Sequence, residues 1–270
     1  MKNFILTIGA LILAATAVAA QSGGSSHISK DGQAAPQDAN CAFTFSSGSG
    51  VTSIKYCVTG NGNIAQLEIP LGIPLISQIS QLEGYGICDL STDIAYSNWN
   101  GIEVGAWHPA IVKSHNAKSV KIARTTGDDI WTLTQTFTAL KGAPAGVKFA
   151  MALTNNGSVP RDVKVVRYAD MDVAEQIPNN FDATDNTAIA WNSLFVSGEP
   201  FGVVLQNLVA VPRVGFALAQ NTADPPDACH PVDNSAPGLE QNVDGSVELV
   251  YSTTVRPHST VTLTGAYKGR

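Results

Sequence analysis

The feature that most constrains the fold is an alternation of side chains on two faces between Ser119 and Val173. In the clearest run, one side carries Trp131, Leu133, Gln135 and Phe137, and the other carries Thr132, Thr134, Thr136 and Thr138. Successive side chains of a β-strand point to opposite faces, so this run indicates a strand with one face in a hydrophobic core. We therefore predict an all-β protein: an antiparallel β-sandwich of two packed sheets, with about ten or more strands in a single domain.

The rest of the chain supports the same fold class. Charged residues make up 14% of the chain, and the Thr, Ser, Asn and Gly that replace them suit strands and turns better than helices. The best helix candidate is Leu75–Leu82, whose isoleucines favour a helix less than leucine does. Asn156-Gly157 predicts a tight hairpin turn. Further strands are predicted at Val51–Val58, Asn63–Ile69, Thr187–Val196, Phe201–Leu208, Val247–Val255 and Thr260–Tyr267.

The first 20 residues have the pattern of a secretory signal peptide. Lys2 precedes an apolar run from Phe4 to Val18, and small residues follow as far as Ala20. This run of about 15 residues is shorter than the roughly 20 that span a bilayer. Residues 21–40 contain almost nothing apolar and are predicted to form a flexible leader, which leaves 41–270 for the sandwich domain. We expect a secreted or periplasmic protein whose mature chain does not insert into a membrane.

The chain contains four cysteines, Cys41, Cys57, Cys88 and Cys229. An even number in an exported protein predicts disulfide bonds, and four cysteines allow three connectivities. We favour Cys41–Cys57 with Cys88–Cys229, because the first pair would close a short local hairpin. There is no C-x-x-C pair, which argues against a zinc ribbon or a thioredoxin-like redox site.

Charge and motifs exclude several functional classes. The net charge is −6 and there is no basic run, so neither nucleic acid nor an anionic membrane surface is an expected partner. A G-x-S-x-G elbow, an H-E-x-x-H motif, a P-loop and an EF-hand loop are all absent. These absences favour a binding protein over an enzyme, although many β-fold hydrolases and lyases also have no compact motif.

An aromatic-rich segment is the strongest candidate for a ligand site. Its members are Tyr85, Tyr96, Trp99, Glu103, Trp107 and His108. Aromatic rings stack on the apolar faces of sugars, and nearby carboxylates bind hydroxyl groups, as in small-ligand sites generally. We therefore predict a secreted, non-catalytic binding protein whose partner is carbohydrate. In the alternative interpretation, Trp99 and Trp107 fill one end of the core. The protein would then be a structural or adhesive component with buried tryptophans and no cleft.

A second cluster is acidic. On a strand, Asp170 and Asp172 share one face with Tyr168, with the two aspartates about 6.8 Å apart along the chain. Asp182 and Asp185 would approach from the following loop and complete an oxygen-rich site for calcium, the one cofactor considered. The same carboxylates suit a polysaccharide hydrolase or lyase, which is the alternative function. In the simplest interpretation, Arg167 forms an ion pair and the aspartates end the strand in solvent.

Overall fold

The computed structural model describes residues 41–76, 83–99, 102–140, 142, 144–176, 178–192, 201–209, 215–220, 226–231 and 240–270. The predicted signal peptide and leader, residues 1–40, lie outside this part of the chain. So does most of the helix candidate Leu75–Leu82. None of the described helices is long and apolar enough to cross a membrane.

The prediction of an all-β fold is confirmed, because the described residues form eighteen strands and two short 3₁₀ helices, Gly50–Thr52 and Val173–Glu175. The strands are β1 (Phe43–Ser47), β2 (Ile54–Val58), β3 (Ile64–Glu68), β4 (Glu83–Asp89), β5 (Ile94–Trp99), β6 (Ile102–Val104), β7 (Ile111–Asn116), β8 (Ser119–Thr125), β9 (Trp131–Leu140), β10 (Gly146–Asn155), β11 (Arg161–Met171), β12 (Asn179–Thr184), β13 (Thr187–Asn192), β14 (Phe201–Asn207), β15 (Gly215–Gln220), β16 (Glu240–Val243), β17 (Gly245–Val255) and β18 (Thr260–Gly269).

These strands form three antiparallel sheets. A nine-stranded sheet has the order β16-β12-β13-β14-β18-β10-β9-β8-β7, and a six-stranded sheet has the order β15-β17-β11-β4-β5-β6. A small sheet of β1, β2 and β3 was not predicted as a separate layer. The two large sheets enclose one core, to which Trp131 and Leu133 contribute from one side and Ile87 and Val165 from the other. The small sheet adds Tyr56 and its neighbours to the same core.

Strand β11 has both faces buried. On one face, Val163, Val165 and Ala169 lie in the main core. Tyr168 points the other way, into a second and smaller core on the outer face of the six-stranded sheet. The aspartates that follow Tyr168 are also buried, so the interpretation that they end the strand in solvent is wrong.

The predicted Arg167 ion pair is present, and its partner is Glu83. Both side chains are fully buried between the two large sheets. Tyr267 donates a hydrogen bond to Glu83 Oε1 at 2.9 Å, and Arg167 donates to Gln135 Oε1 at 2.7 Å. The guanidinium carbon also lies 5.2 Å from the ring centroids of Phe137 and Phe149. Within the core, the Glu83 carboxylate compensates the charge of Arg167, as a buried ion requires.

The hairpin prediction for Asn156-Gly157 is wrong. Strand β10 pairs with β9 and β18, whereas β11 pairs with β4 and β17, so this turn carries the chain from one sheet to the other. Neither residue has a positive φ. The corner is held by Asn155, whose amide donates to the carbonyls of Val159 at 2.8 Å and Val255 at 3.0 Å. An Asn-Gly pair permits a hairpin, but here the buried side-chain amide of Asn155 stabilises a turn that connects two sheets.

The favoured disulfide connectivity is confirmed. Cys41–Cys57 closes the hairpin of β1 and β2, with the two Cα atoms 5.6 Å apart. Cys88–Cys229, with a Cα–Cα distance of 4.8 Å, attaches residues 226–231 to the outer face of the six-stranded sheet. Gly86 permits this close approach, since a Cβ atom there would lie 2.7 Å from the Cβ of Ala228. Two disulfide bonds are compatible with an extracellular or periplasmic location.

Candidate functional site

Five of the six predicted ligand residues converge near the turn that joins β8 and β9. The segment between β6 and β7 brings Trp107 there through a bridge to Thr126. The Trp107 ring meets the rings of Tyr85 and Tyr96 edge-on, at centroid distances of 5.7 and 6.2 Å. We call this group the Trp107 cluster; its members are Tyr85, Tyr96, Glu103, Trp107, His108, Arg124, Asp128 and Asp129.

The structure does not bring Trp99 to this cluster. Trp99 lies three residues after Tyr96 on the same strand, and an odd offset on a strand places side chains on opposite faces. Only 2% of Trp99 is exposed, in the second core, with its ring 5.6 Å from that of Tyr168. Trp107, in contrast, is half-buried. The two tryptophans therefore lie in different environments, whereas the structural or adhesive alternative required both to be buried.

Arg124 organises the cluster, although it was not identified as a site residue from the sequence. Its Nη1 donates to Glu103 Oε2 at 2.9 Å, and its guanidinium carbon lies 5.0 Å from the Trp107 ring centroid. Burial alone would lower the pKa of Arg124, but Tyr85 and Glu103 raise it, so the side chain stays charged. A signal was available, because Arg124 shares the core-facing side of β8 with Val120 and Ile122. Charged residues at such positions are rare unless paired.

The β8–β9 turn supplies two carboxylates. Tyr96 donates to Asp128 Oδ2 at 2.6 Å, and Thr126 donates to Oδ1 at 2.5 Å. Partial burial would raise the pKa of Asp128, but these hydrogen bonds outweigh it and hold the pKa below its usual value. Asp129 Oδ1 lies 3.0 Å from Nε2 of His108. The turn therefore brings one carboxylate to Tyr96 and another to His108.

Polar groups of the cluster are open to solvent around the indole. The side chains of Glu103, His108 and Asp129 are 39%, 50% and 79% exposed, whereas that of Arg124 is 5% exposed. Within the described residues, the buried Trp107 Nε1 and Arg124 Nε atoms have no hydrogen-bond acceptor. A half-buried ring flanked by hydrogen-bonding groups can bind a flat, hydroxylated ligand.

The acidic residues are arranged differently from the prediction. Asp170 and Asp172 are buried, and their carboxylates lie within 4.8 Å of each other and of Asp244, which is exposed. Asp182 and Asp185 are not part of this group; Asp182 instead accepts a hydrogen bond from the Ala183 amide at 2.8 Å. The reason is topological. Strand β17 pairs with β11 and begins directly after Asp244, whereas β12 belongs to the other large sheet.

The fold and the Trp107 cluster together define an antiparallel β-sandwich with an aromatic, hydrogen-bonding site at one end. No protein-family model matches the sequence, and no curated protein has a significantly similar sequence. A bacterial glucoamylase in complex with acarbose has a similar fold, with a TM-score of 0.50 and 10% identity over 80% of this chain and 30% of the glucoamylase. For heparan sulfate lyase HepC from Pedobacter heparinus the TM-score is 0.43, with 9% identity over 84% of this chain and 34% of the lyase.

The similarity to the glucoamylase concerns the fold alone, because identity is so low. This chain also spans less than two thirds of the length of either enzyme, as the covered shares of 30% and 34% show.

Proposed function

We propose that this protein is an extracellular, non-catalytic carbohydrate-binding protein that binds sugar at the solvent side of the Trp107 cluster. The observation that carries the proposal is the half-buried indole of Trp107 with exposed Glu103 and His108 beside it. An indole face offers an apolar platform for a sugar ring, and the carboxylate accepts hydrogen bonds from sugar hydroxyl groups.

The site is preorganised for such a ligand. Tyr85 and Tyr96 brace the indole through edge-to-face contacts, and Arg124 covers part of the ring. Asn98 Nδ2 donates to Glu103 Oε2 at 3.0 Å, so two donors orient that carboxylate. Side chains already fixed in their bound positions lose little conformational entropy when the ligand arrives. The glucoamylase of similar fold is a carbohydrate-active protein, which is our reason for choosing sugars among hydroxylated ligands.

Replacing Trp107 by alanine tests the proposal. We expect the variant to lose about 10- to 100-fold in affinity for its glycan, as is typical of an aromatic hot spot. Trp191→Ala is the matched control, because Trp191 is also a half-buried tryptophan with an arginine over its ring: Arg270, at 4.7 Å. A glycan array followed by calorimetry on the positive sugars measures both variants. Equal affinity of wild type and Trp107→Ala would contradict the proposed site.

The alternative of a polysaccharide hydrolase or lyase would use Asp170 or Asp172 with Tyr168 or a nearby histidine. Strand pairing does place Glu248 opposite Tyr168, so a further carboxylate lies on the same face of the sheet. Tyr168, Asp170, Asp172 and Glu248 are buried, however, so a polymer cannot reach them in this structure. We therefore do not propose catalysis at this face.

Calcium binding stays a prediction for the acidic group, with Asp244 in place of Asp182 and Asp185. Aspartate oxygens are typical calcium ligands, and the exposed Asp244 provides a path for the ion. We expect calcium to raise the melting temperature by about 2–4 °C for each kcal/mol of binding free energy. Asp244→Asn should remove this effect and Asp185→Asn should retain it. The same melting temperature with calcium and with a chelator would refute the prediction.

A further inference from the structure

We infer that the ligand of the Trp107 cluster is a neutral glycan rather than a sulfated or uronic-acid-rich one. The inference rests on the proposed function and follows from how charge is distributed in the cluster. The cluster contains three carboxylates, those of Glu103, Asp128 and Asp129, which contact Arg124, Tyr96 and His108. Among the described residues that belong to the cluster, one arginine opposes them, Arg124.

Arg124 is not available to an anionic ligand. It is almost fully buried, and its guanidinium group is engaged with the Glu103 carboxylate and, at 3.4 Å, with the carbonyl oxygen of His108. Sulfate and carboxylate groups are typically bound by an arginine that presents its N–H donors to them in pairs. Arg161, the next arginine along the sandwich edge, is likewise paired, with Asp89 at 2.5 Å. To bind either arginine, an anionic ligand would have to displace the carboxylate that is already paired with it.

The groups that do face solvent carry negative charge. Asp129 is largely exposed, and the lowered pKa of Asp128 keeps that carboxylate ionised at neutral pH. The exposed imidazole of His108 is already next to Asp129. Hydroxyl groups of a neutral sugar can donate hydrogen bonds to these carboxylates, whereas like charges facing each other across an interface are strongly unfavourable.

An array that presents each glycan in its native form and as a chemically sulfated derivative tests this inference. We expect the native form to bind at least about tenfold more tightly than its sulfated partner, because like-charge contacts weaken binding. Binding should change little with salt and should be lost in Trp107→Ala but not in Trp191→Ala. Asp129→Asn removes one negative charge from the cluster, so it should reduce the difference in affinity between the native and the sulfated glycan. Asn tolerates the φ of 62° found at this position.

The inference and the proposed function can be refuted separately. Equal or tighter binding of the sulfated forms would overturn the inference and leave the proposed function standing. If neither form of any glycan binds, the proposed function is wrong, and the inference falls with it.

Discussion

Replacing Cys88 and Cys229 together by alanine is expected to lower the free energy of unfolding by about 5 kcal/mol. The bond joins residues 141 positions apart, so it removes a large loop-closure entropy from the unfolded chain. It also fixes residues 226–231 over Trp99 in the second core. Urea denaturation followed by tryptophan fluorescence measures the change.

The second disulfide bond is the matched control for the first. Cys41–Cys57 spans 16 positions, and the same chain-entropy relation gives about 3 kcal/mol for its removal. Equal losses from the two double-alanine variants would contradict the dependence on loop length. A smaller loss for Cys88–Cys229 would show that residues 226–231 open before the rest of the sandwich unfolds.

Replacing Arg167 by methionine should destabilise the protein by about 3–5 kcal/mol, because it leaves the carboxylate of Glu83 buried without its partner. The double variant Arg167→Met/Glu83→Gln should be less destabilised than the sum of the single variants, since it buries no lone charge. Lys55→Met is the control: its ion pair with Glu68 at 3.5 Å is partly exposed and should contribute less than about 1 kcal/mol. If Lys55→Met and Arg167→Met lower the free energy of unfolding equally, the buried Arg167–Glu83 pair is no more important for stability than a surface ion pair.

The pH dependence of Arg167→Met provides a second readout. Burial raises the pKa of Glu83, and Arg167 is the largest of the influences that lower it. Without Arg167 the folded state holds a proton on Glu83 at pH values where the unfolded chain has released it. The stability of the variant should therefore fall as pH rises from about 5 to about 8, relative to wild type. If the loss of stability of Arg167→Met relative to wild type is the same at every pH in this range, the Glu83 carboxylate is not left uncompensated in the variant.

Local chemistry determined much of this protein from its sequence. The period of two along β9 identified the strand and the side of it that enters the core, because neighbouring side chains on a strand must point apart. The same period placed Tyr168 and Asp170 together on one face of β11. Cysteine spacing indicated the correct disulfide connectivity. The same parity, applied to Tyr96 and Trp99, would have placed Trp99 away from the ligand site.

Strand neighbours were decided only in the tertiary structure, because alternation specifies the faces of a strand and not its partners. Pairing of β17 with β11 brings Asp244 to Asp170, although 74 positions separate them, and places Asp182 in another sheet. At Asn156-Gly157, hydrogen bonds from the Asn155 amide stabilise a connection between two sheets where a hairpin was predicted. The Trp107 cluster likewise depends on contacts between the β8–β9 turn and the segment before β7. Such long-range contacts depend on how whole surfaces pack, which no local sequence pattern records.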